Sequence, residues 1–252
     1  MMLAVIPARL GATRLPRKPL RDLAGKPLVV RVWERVQDMN VADRCVIATD
    51  SPEVAAALAK AGAEYVITRS DHPSGTDRVA EVAALGGFRA YDAIVNIQGD
   101  EPFVHRAAVV GAAEMVSSGR FPLGTAAAPG DVTILGQPNA VKVITADDGR
   151  ALYFSRASIP FVRNSEDLAF AGALVRQHIG VYAYTRDALA RWVQLPIHPL
   201  EQVERLEQLR PLAAGIAMGV AMIAEQPLGG IDTEDDLARA GAHWDDFSQG
   251  RH

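Results

Sequence analysis

Residues 3–20 read Leu-Ala-Val-Ile-Pro-Ala-Arg-Leu-Gly-Ala-Thr-Arg-Leu-Pro-Arg-Lys-Pro-Leu. The first four are apolar without alternation, the mark of a strand buried on both faces, as parallel strands are. That strand empties into a loop stiffened by Pro7, Pro16 and Pro19. The loop carries four basic residues, Arg9, Arg14, Arg17 and Lys18, within ten positions.

Outward from this stretch, short apolar runs alternate with amphipathic ones. Residues 27–37 place Leu28, Val29, Val32 and Val36 at helical spacing, and residues 45–49 read as a second strand. Asp50-Ser51-Pro52-Glu53 is a helix start with Pro in the first turn. Residues 64–68 read as a third strand, and Ser74 or Thr76 caps a helix through Val79, Val82 and Ala83. A fourth strand at 93–97 stops abruptly at Gln98-Gly99-Asp100-Glu101-Pro102. Strand and helix units in series predict a three-layer α/β fold with a mostly parallel (mixed) sheet, Rossmann-like in its first half. Past residue 120 the regularity breaks down. Residues 138–185 read as shorter strands and turns, a smaller lobe inserted in a single domain of residues 1–252. Late helices are expected at 200–212 and 233–240, with an apolar strand near Val220 between them.

The chain has 252 residues, 49% hydrophobic and 22% charged, which fits one globular core and excludes general disorder. Its formal net charge of −4 gives no basic footprint for nucleic acid, so a bound polyanion has to be held by a local cluster of cations. No apolar stretch is long enough for a membrane span, and the N-terminus lacks the pattern of a signal peptide. The expectation is a soluble, cytoplasmic protein. Cys45 is the single cysteine and sits in an apolar run, where a buried small hydrophobe is the simpler reading.

Ligands of such sheets bind at the C-terminal ends of the strands, and every candidate motif falls at such an end. The basic loop follows the first strand and has the cations and backbone N–H groups that a triphosphate needs. It is not a Walker A loop, because Lys26 is followed by Pro27 and Leu20 stands where that motif needs Gly. No G-x-G-x-x-G and no H-E-x-x-H occurs. Asp100 follows the fourth strand, and Asp232 lies in Gly229-Gly230-Ile231-Asp232-Thr233. Two carboxylates completed by water and phosphate suit magnesium. Taken alone, Asp232 reads first as a helix cap ahead of residues 234–237. Residues 71–78, Asp-His-Pro-Ser-Gly-Thr-Asp-Arg, lie between a strand and a helix and suit a nucleobase edge or a phosphate. Glu101 reads either as a less direct participant or as a turn residue, and His72 as a residue that shapes its turn.

Taken in order, these motifs resemble the family of 3-deoxy-D-manno-octulosonate (Kdo) cytidylyltransferases. The resemblance runs from Val5 to Arg239 through PARLGATRLPRKPL, GKPL, ATD, SGTDR, NIQGDEP, PNAVKV, ALYFSRASIP, HIGVYAY, PLEQVERLEQLR and GIDTEDDL. It implies that Arg9, Arg14 and Lys18 hold the CTP triphosphate and that Ser74, Gly75 and Arg78 contact the nucleotide. Gln98 falls between nucleotide and sugar. Asp100 and Asp232 become the ligands of Mg2+ and, with Lys18, the catalytic set. Arg156, His178, Tyr182, Glu201 and Glu204 join Gln98 in the pocket for an acidic eight-carbon sugar. Plain alternatives stay open: an ion pair for Arg156, strand packing for His178 and Tyr182, and a solvated helix face for Glu201 and Glu204.

The resemblance also implies a homodimer through the 138–185 lobe and a product used in lipopolysaccharide or capsule synthesis. The implied chemistry is in-line attack of the anomeric hydroxyl on the α-phosphorus of CTP. Alternatives are the same chemistry on 8-amino-Kdo or a sialic acid, another nucleotide, or a non-catalytic nucleotide-binding module. The family has Gly before the loop lysine, where this chain has Arg17.

Overall fold

The computed structural model describes residues 1–11, 14–224, 226 and 228–249, so Ala12 and Thr13 of the basic loop lie outside the described residues. The chain packs as two compact units, one of Met1–Arg106 with Pro227–His252, the other of Ala107–Gln226.

In chain order the strands are β1 (Met2–Ala8), β2 (Asp22–Leu23), β3 (Lys26–Pro27), β4 (Arg44–Thr49), β5 (Tyr65–Ile67), β6 (Ala93–Asn96), β7 (Leu123–Pro129), β8 (Lys142–Thr145), β9 (Ala151–Ser155), β10 (Arg176–Thr185) and β11 (Met218–Met222). The helices are α1 (Leu28–Met39), α2 (Pro52–Ala61), α3 (Gly75–Ala84), α4 (Arg106–Ser117), α5 (Leu168–Gly172), α6 (Arg186–Gln194), α7 (Pro199–Glu204), α8 (Leu209–Ala213), α9 (Glu234–Ala242) and α10 (Trp244–Gln249). The α/β class expected from the alternating runs is the class observed.

In the first unit, β4 and β6 pair with β1 and β5 pairs with β4, all parallel. Counted in chain order, these four strands lie 3-2-1-4, the doubly wound arrangement in which strand order reverses beside the first strand. The switch point therefore lies between β1 and β6, whose C-terminal ends carry the basic loop and the Gln98–Asp100 turn. Residues 3–6 are fully buried, which explains their unbroken apolar run. The helices start where their caps predict. The Ser51 hydroxyl accepts from the Val54 amide ahead of α2, and the Ser74 hydroxyl accepts from the Asp77 amide ahead of α3. Thr233 and Asp236 form a capping box for α9. Cys45 is buried, and burial pushes its thiol up to about 12, so it packs as a hydrophobe.

The second unit is mixed. β11 runs parallel to β7, while β7 with β10, β10 with β8, and β8 with β9 are antiparallel. The single helix expected over residues 200–212 is two, because Arg205 takes a left-handed conformation (φ 54°) that ends α7. The break lets Glu201 of α7 turn inward to meet Arg210 of α8.

No helix among the described residues is long and apolar enough to cross a membrane.

Candidate active site

In the first unit, three chain segments meet at the C-terminal ends of β1 and β6. Gly99 is one reason they fit: a Cβ there would stand 2.7 Å from the Pro7 carbonyl oxygen, so the turn after β6 closes against the end of β1 only without a side chain. Gly230 is the other, since a Cβ there would meet the Glu101 carboxylate at 3.0 Å. With that approach open, the Ile231 amide donates to the Asp100 carbonyl at 2.9 Å. This bond brings Asp232 alongside Asp100. Arg21 on Glu234, at 2.5 and 2.7 Å, secures the start of α9. The Arg31 guanidinium lies 4.4 Å from the ring centre of Trp244 and fastens α10.

Lys18 closes the constellation. Its Nζ donates to Asp100 Oδ2 and, at 2.7 Å, to Asp232 Oδ1. Arg14 donates to the other oxygen of Asp232 at 2.9 Å. Burial pulls the Lys18 ammonium down, but the Asp100 and Asp232 carboxylates outweigh it and hold its pKa above the ordinary lysine value. Asp232 is therefore not the helix cap; Thr233 is, and the Asp232 carboxylate is left for the cations. Burial and the neighbouring Asp100 and Asp232 push the Glu101 carboxyl up to about 8 against the pull of Lys18. Two carboxylates converging on one cationic centre are the donor set that magnesium takes, completed by water and phosphate oxygens. The two carboxylates that Lys18 bridges are of the kind that could hold such an ion.

Arg9 stands exposed beyond β1. Ser74 serves the α3 cap and donates to Asp77 Oδ2 at 2.7 Å. A Cβ on Gly75 would lie in ordinary contact, 3.5 Å, with the Pro7 ring, so this segment borders the same strand end. Arg78 is buried, donating to the Thr68 hydroxyl and lying 3.4 Å from Asp50. Gln98 is half-buried in the turn after β6.

Arg17 has φ 57° and ψ 29°, and its guanidinium pairs with Glu53. A left-handed backbone here accounts for the glycine expected at this position, since glycine alone enters that region without a Cβ penalty. Arg17→Gly is expected to raise the melting temperature by a few degrees, whereas Arg17→Val is expected to lower it. A thermal melt of both variants checks this, and a fall for the glycine variant would mean that the Glu53 contact outweighs the backbone strain.

In the second unit, His178 and Tyr182 lie on β10, whose register against β7 shifts between Ile179 and Tyr182. Such bulges re-aim side chains. The His178 ring meets Phe154 edge-on at 5.0 Å and lies 5.5 Å from Tyr182. Burial alone takes His178 down to about 3, so the imidazole is neutral near pH 7. The Thr125 hydroxyl donates to the Val181 carbonyl at 2.7 Å and so accepts at 2.9 Å from His178 Nε2, leaving Nδ1 as the acceptor. Burial, with Tyr184 and Glu207 nearby, keeps the Tyr182 phenol protonated.

Arg156 donates through Nε to the Glu204 carbonyl at 2.8 Å and through Nη1 to the Pro138 carbonyl at 2.9 Å. The Glu204 carboxylate accepts from the Ser155 hydroxyl at 2.6 Å and the Arg156 amide at 2.9 Å. Glu201 commits both oxygens to Arg210, at 2.7 and 2.6 Å, in a buried bidentate pair. Sequence reasoning passed over Gln208, which is 2% exposed with Nε2 lacking a hydrogen-bond partner. A buried amide without a partner calls for a ligand or water. Gln208 lies in a stretch that reads from sequence as one polar helix and in the structure precedes α8, so nothing local signals its burial.

A doubly wound sheet with a lysine-bridged carboxylate pair at its switch point defines a nucleotide-handling α/β enzyme. The family described as Cytidylyltransferase matches residues 3–219, and the chain belongs to that family. It is 63% identical over 244 residues to a 3-deoxy-manno-octulosonate cytidylyltransferase of Gemmatimonas aurantiaca, covering 97% of this chain and 94% of the relative. A protein of the same name from Herminiimonas arsenicoxydans is 46% identical over 241 residues, covering 93% of this chain and 95% of the relative. Among solved structures, CMP:2-keto-3-deoxy-manno-octonic acid synthetase complexed with CTP superposes with a TM-score of 0.88 at 37% identity, covering 97% and 98% of the two chains.

Proposed function

We propose that this chain transfers CMP from CTP to the anomeric hydroxyl of Kdo, releasing pyrophosphate. The observation that carries this reading is the bridge from Lys18 to Asp100 and Asp232 at the β1–β6 switch point. Similarity to named Kdo cytidylyltransferases over nearly the whole chain supports the choice of nucleotide and sugar.

Asp100 and Asp232 would hold magnesium, which supplies positive charge to the phosphates and lowers the cost of ionising a bound hydroxyl. Lys18, Arg9 and Arg14 would face the triphosphate and offset charge growing on the leaving pyrophosphate. Ser74, Gly75 and Arg78 hold the nucleotide end, the last as a rigid support. Gln98 lies between nucleotide and sugar. Arg156, His178, Tyr182 and Glu204 orient the sugar acid, with Gln208 as a free donor and Glu201 as a brace behind them. The transfer needs no covalent intermediate, so placement and charge neutralisation do most of the work. Exposed Phe161, Phe170 and Val203 support a homodimer through the second unit. A cytoplasmic location and a product feeding lipopolysaccharide or capsule belong to the same reading.

Pyrophosphate release with magnesium and CTP, compared for Kdo, 8-amino-Kdo and a sialic acid, tests the assignment. Release with Kdo above the other two is the expected result. CTP binding without turnover on any of the three would leave a nucleotide-binding module.

A further inference from the structure

Lys142 opens β8 with 0% of its surface exposed, a rare place for a lysine. It lies opposite Ser155 of β9 and Gln177 of β10, so β8 is flanked on both sides at that position. Its ammonium donates to the carbonyl oxygens of Gln137 at 3.0 Å and Arg156 at 2.7 Å. Both acceptors are neutral, and no carboxylate among the described residues is ion-paired with it. The guanidinium of Arg156, which is half-exposed, is likewise held by neutral carbonyls. Three of its N–H groups go to the carbonyls of Glu204, Pro138 and Arg205, leaving two of a guanidinium's five donors. Among the described residues, the Glu204 carboxylate is bonded into this cluster, where a hydroxyl and an amide hold it. Two cations against one anion leave a surplus of positive charge.

Keeping an ammonium out of water on carbonyl dipoles alone is costly. Burial and the neighbouring Arg156 lower its pKa accordingly, with Glu204 opposing them. A methionine would fill the same volume without that cost. Surplus charge in a low-dielectric setting is useful where an anion arrives, because its attraction there is several times stronger than in water. We infer that Lys142 is a positioning residue that sets specificity for an anionic sugar: it fixes the Arg156 main chain and adds a second positive charge behind the Arg156 guanidinium, so that the ligand carboxylate completes the charge balance. This inference rests on the proposed reaction, with Arg156, His178, Tyr182 and Glu204 as the sugar site.

The test uses Lys142→Met, which removes charge and donors, and Lys142→Gln, which keeps a donor for the Arg156 carbonyl but no charge. Losing a charged interaction with the sugar is expected to raise its KM about tenfold or more in both, with the KM for CTP within about twofold of wild type. Inhibition by the neutral methyl ester of Kdo should change little, so preference for the free acid falls by the same factor. The melting temperature should hold or rise, since an uncompensated buried charge is gone. Unchanged sugar KM in both variants would overturn the inference. So would a joint loss of sugar and CTP affinity with a lower melting temperature, or failure of both variants to fold, because each marks Lys142 as a structural prop. The underlying reaction is judged separately on wild-type enzyme: no pyrophosphate release with any acidic sugar would sink it before a variant is made.

Discussion

Asp100→Asn should leave a folded protein whose turnover falls by about a thousandfold, roughly 4 kcal/mol of transition-state stabilisation. The size follows from what the carboxylate does. Asp100 and Asp232 converge on one cationic centre, the Lys18 ammonium. Their partial burial makes each charge worth more than on an open surface. An amide keeps the shape and the Ile231 contact, which uses the Asp100 main chain and not its side chain. Fold and melting temperature should therefore change little while metal-dependent pyrophosphate release collapses. Asp232→Asn should do nearly the same, and the double variant should be little worse than either single one, because both groups serve the same cation. Steady-state pyrophosphate assays across magnesium concentrations, with circular dichroism as the control for folding, read all three. Full activity in Asp100→Asn would remove the metal reading of this site.

The first unit was legible because its burial is simple. Residues 3–6 are enclosed on both faces and read as an unbroken apolar run. Ser51, Ser74 and Thr233 announce helix starts through local chemistry that needs no tertiary context. β7 was not legible, and its composition explains why. Residues 123–129 read Leu-Gly-Thr-Ala-Ala-Ala-Pro, almost without the β-branched and aromatic residues that mark strands. A Cβ on Gly124 would lie 2.1 Å from the Ala112 carbonyl oxygen of α4, so that helix approaches the strand closely. Small side chains permit the approach and erase the strand signal together. The site divides in the same way. Asp100 stands out locally because it follows a strand directly, and Lys18 as one of four cations in the loop after β1, whereas Asp232, whose local pattern reads first as a helix cap, enters through the resemblance. The split at Arg205, the left-handed backbone of Arg17 and the inward turn of Glu201 depend on distant partners that no local pattern reports.

Glu201 carries the largest expected stability effect. Read along a helix, Glu201 and Glu204 share one solvated face at i, i+3, yet the two carboxylates meet different fates. Glu204 takes its bonds from Ser155 and Arg156, while Glu201 is enclosed with Arg210. Removing one member of such a pair strands the other charge, at about 3–5 kcal/mol. Glu201→Ala should lower stability to urea by that amount, and Arg210→Ala by a similar one. Replacing both, as Glu201→Leu with Arg210→Met, should recover most of the loss, since the pair repays little beyond the desolvation of its own charges. If Glu201 braces the sugar site without touching the sugar, the folded double variant should keep a sugar KM within about threefold of wild type. A double variant that is stable yet has lost sugar affinity by orders of magnitude would instead place the Glu201 carboxylate on the sugar. In that case Arg210 holds the carboxylate only until the ligand arrives, and the buried pair is a resting state and not a brace.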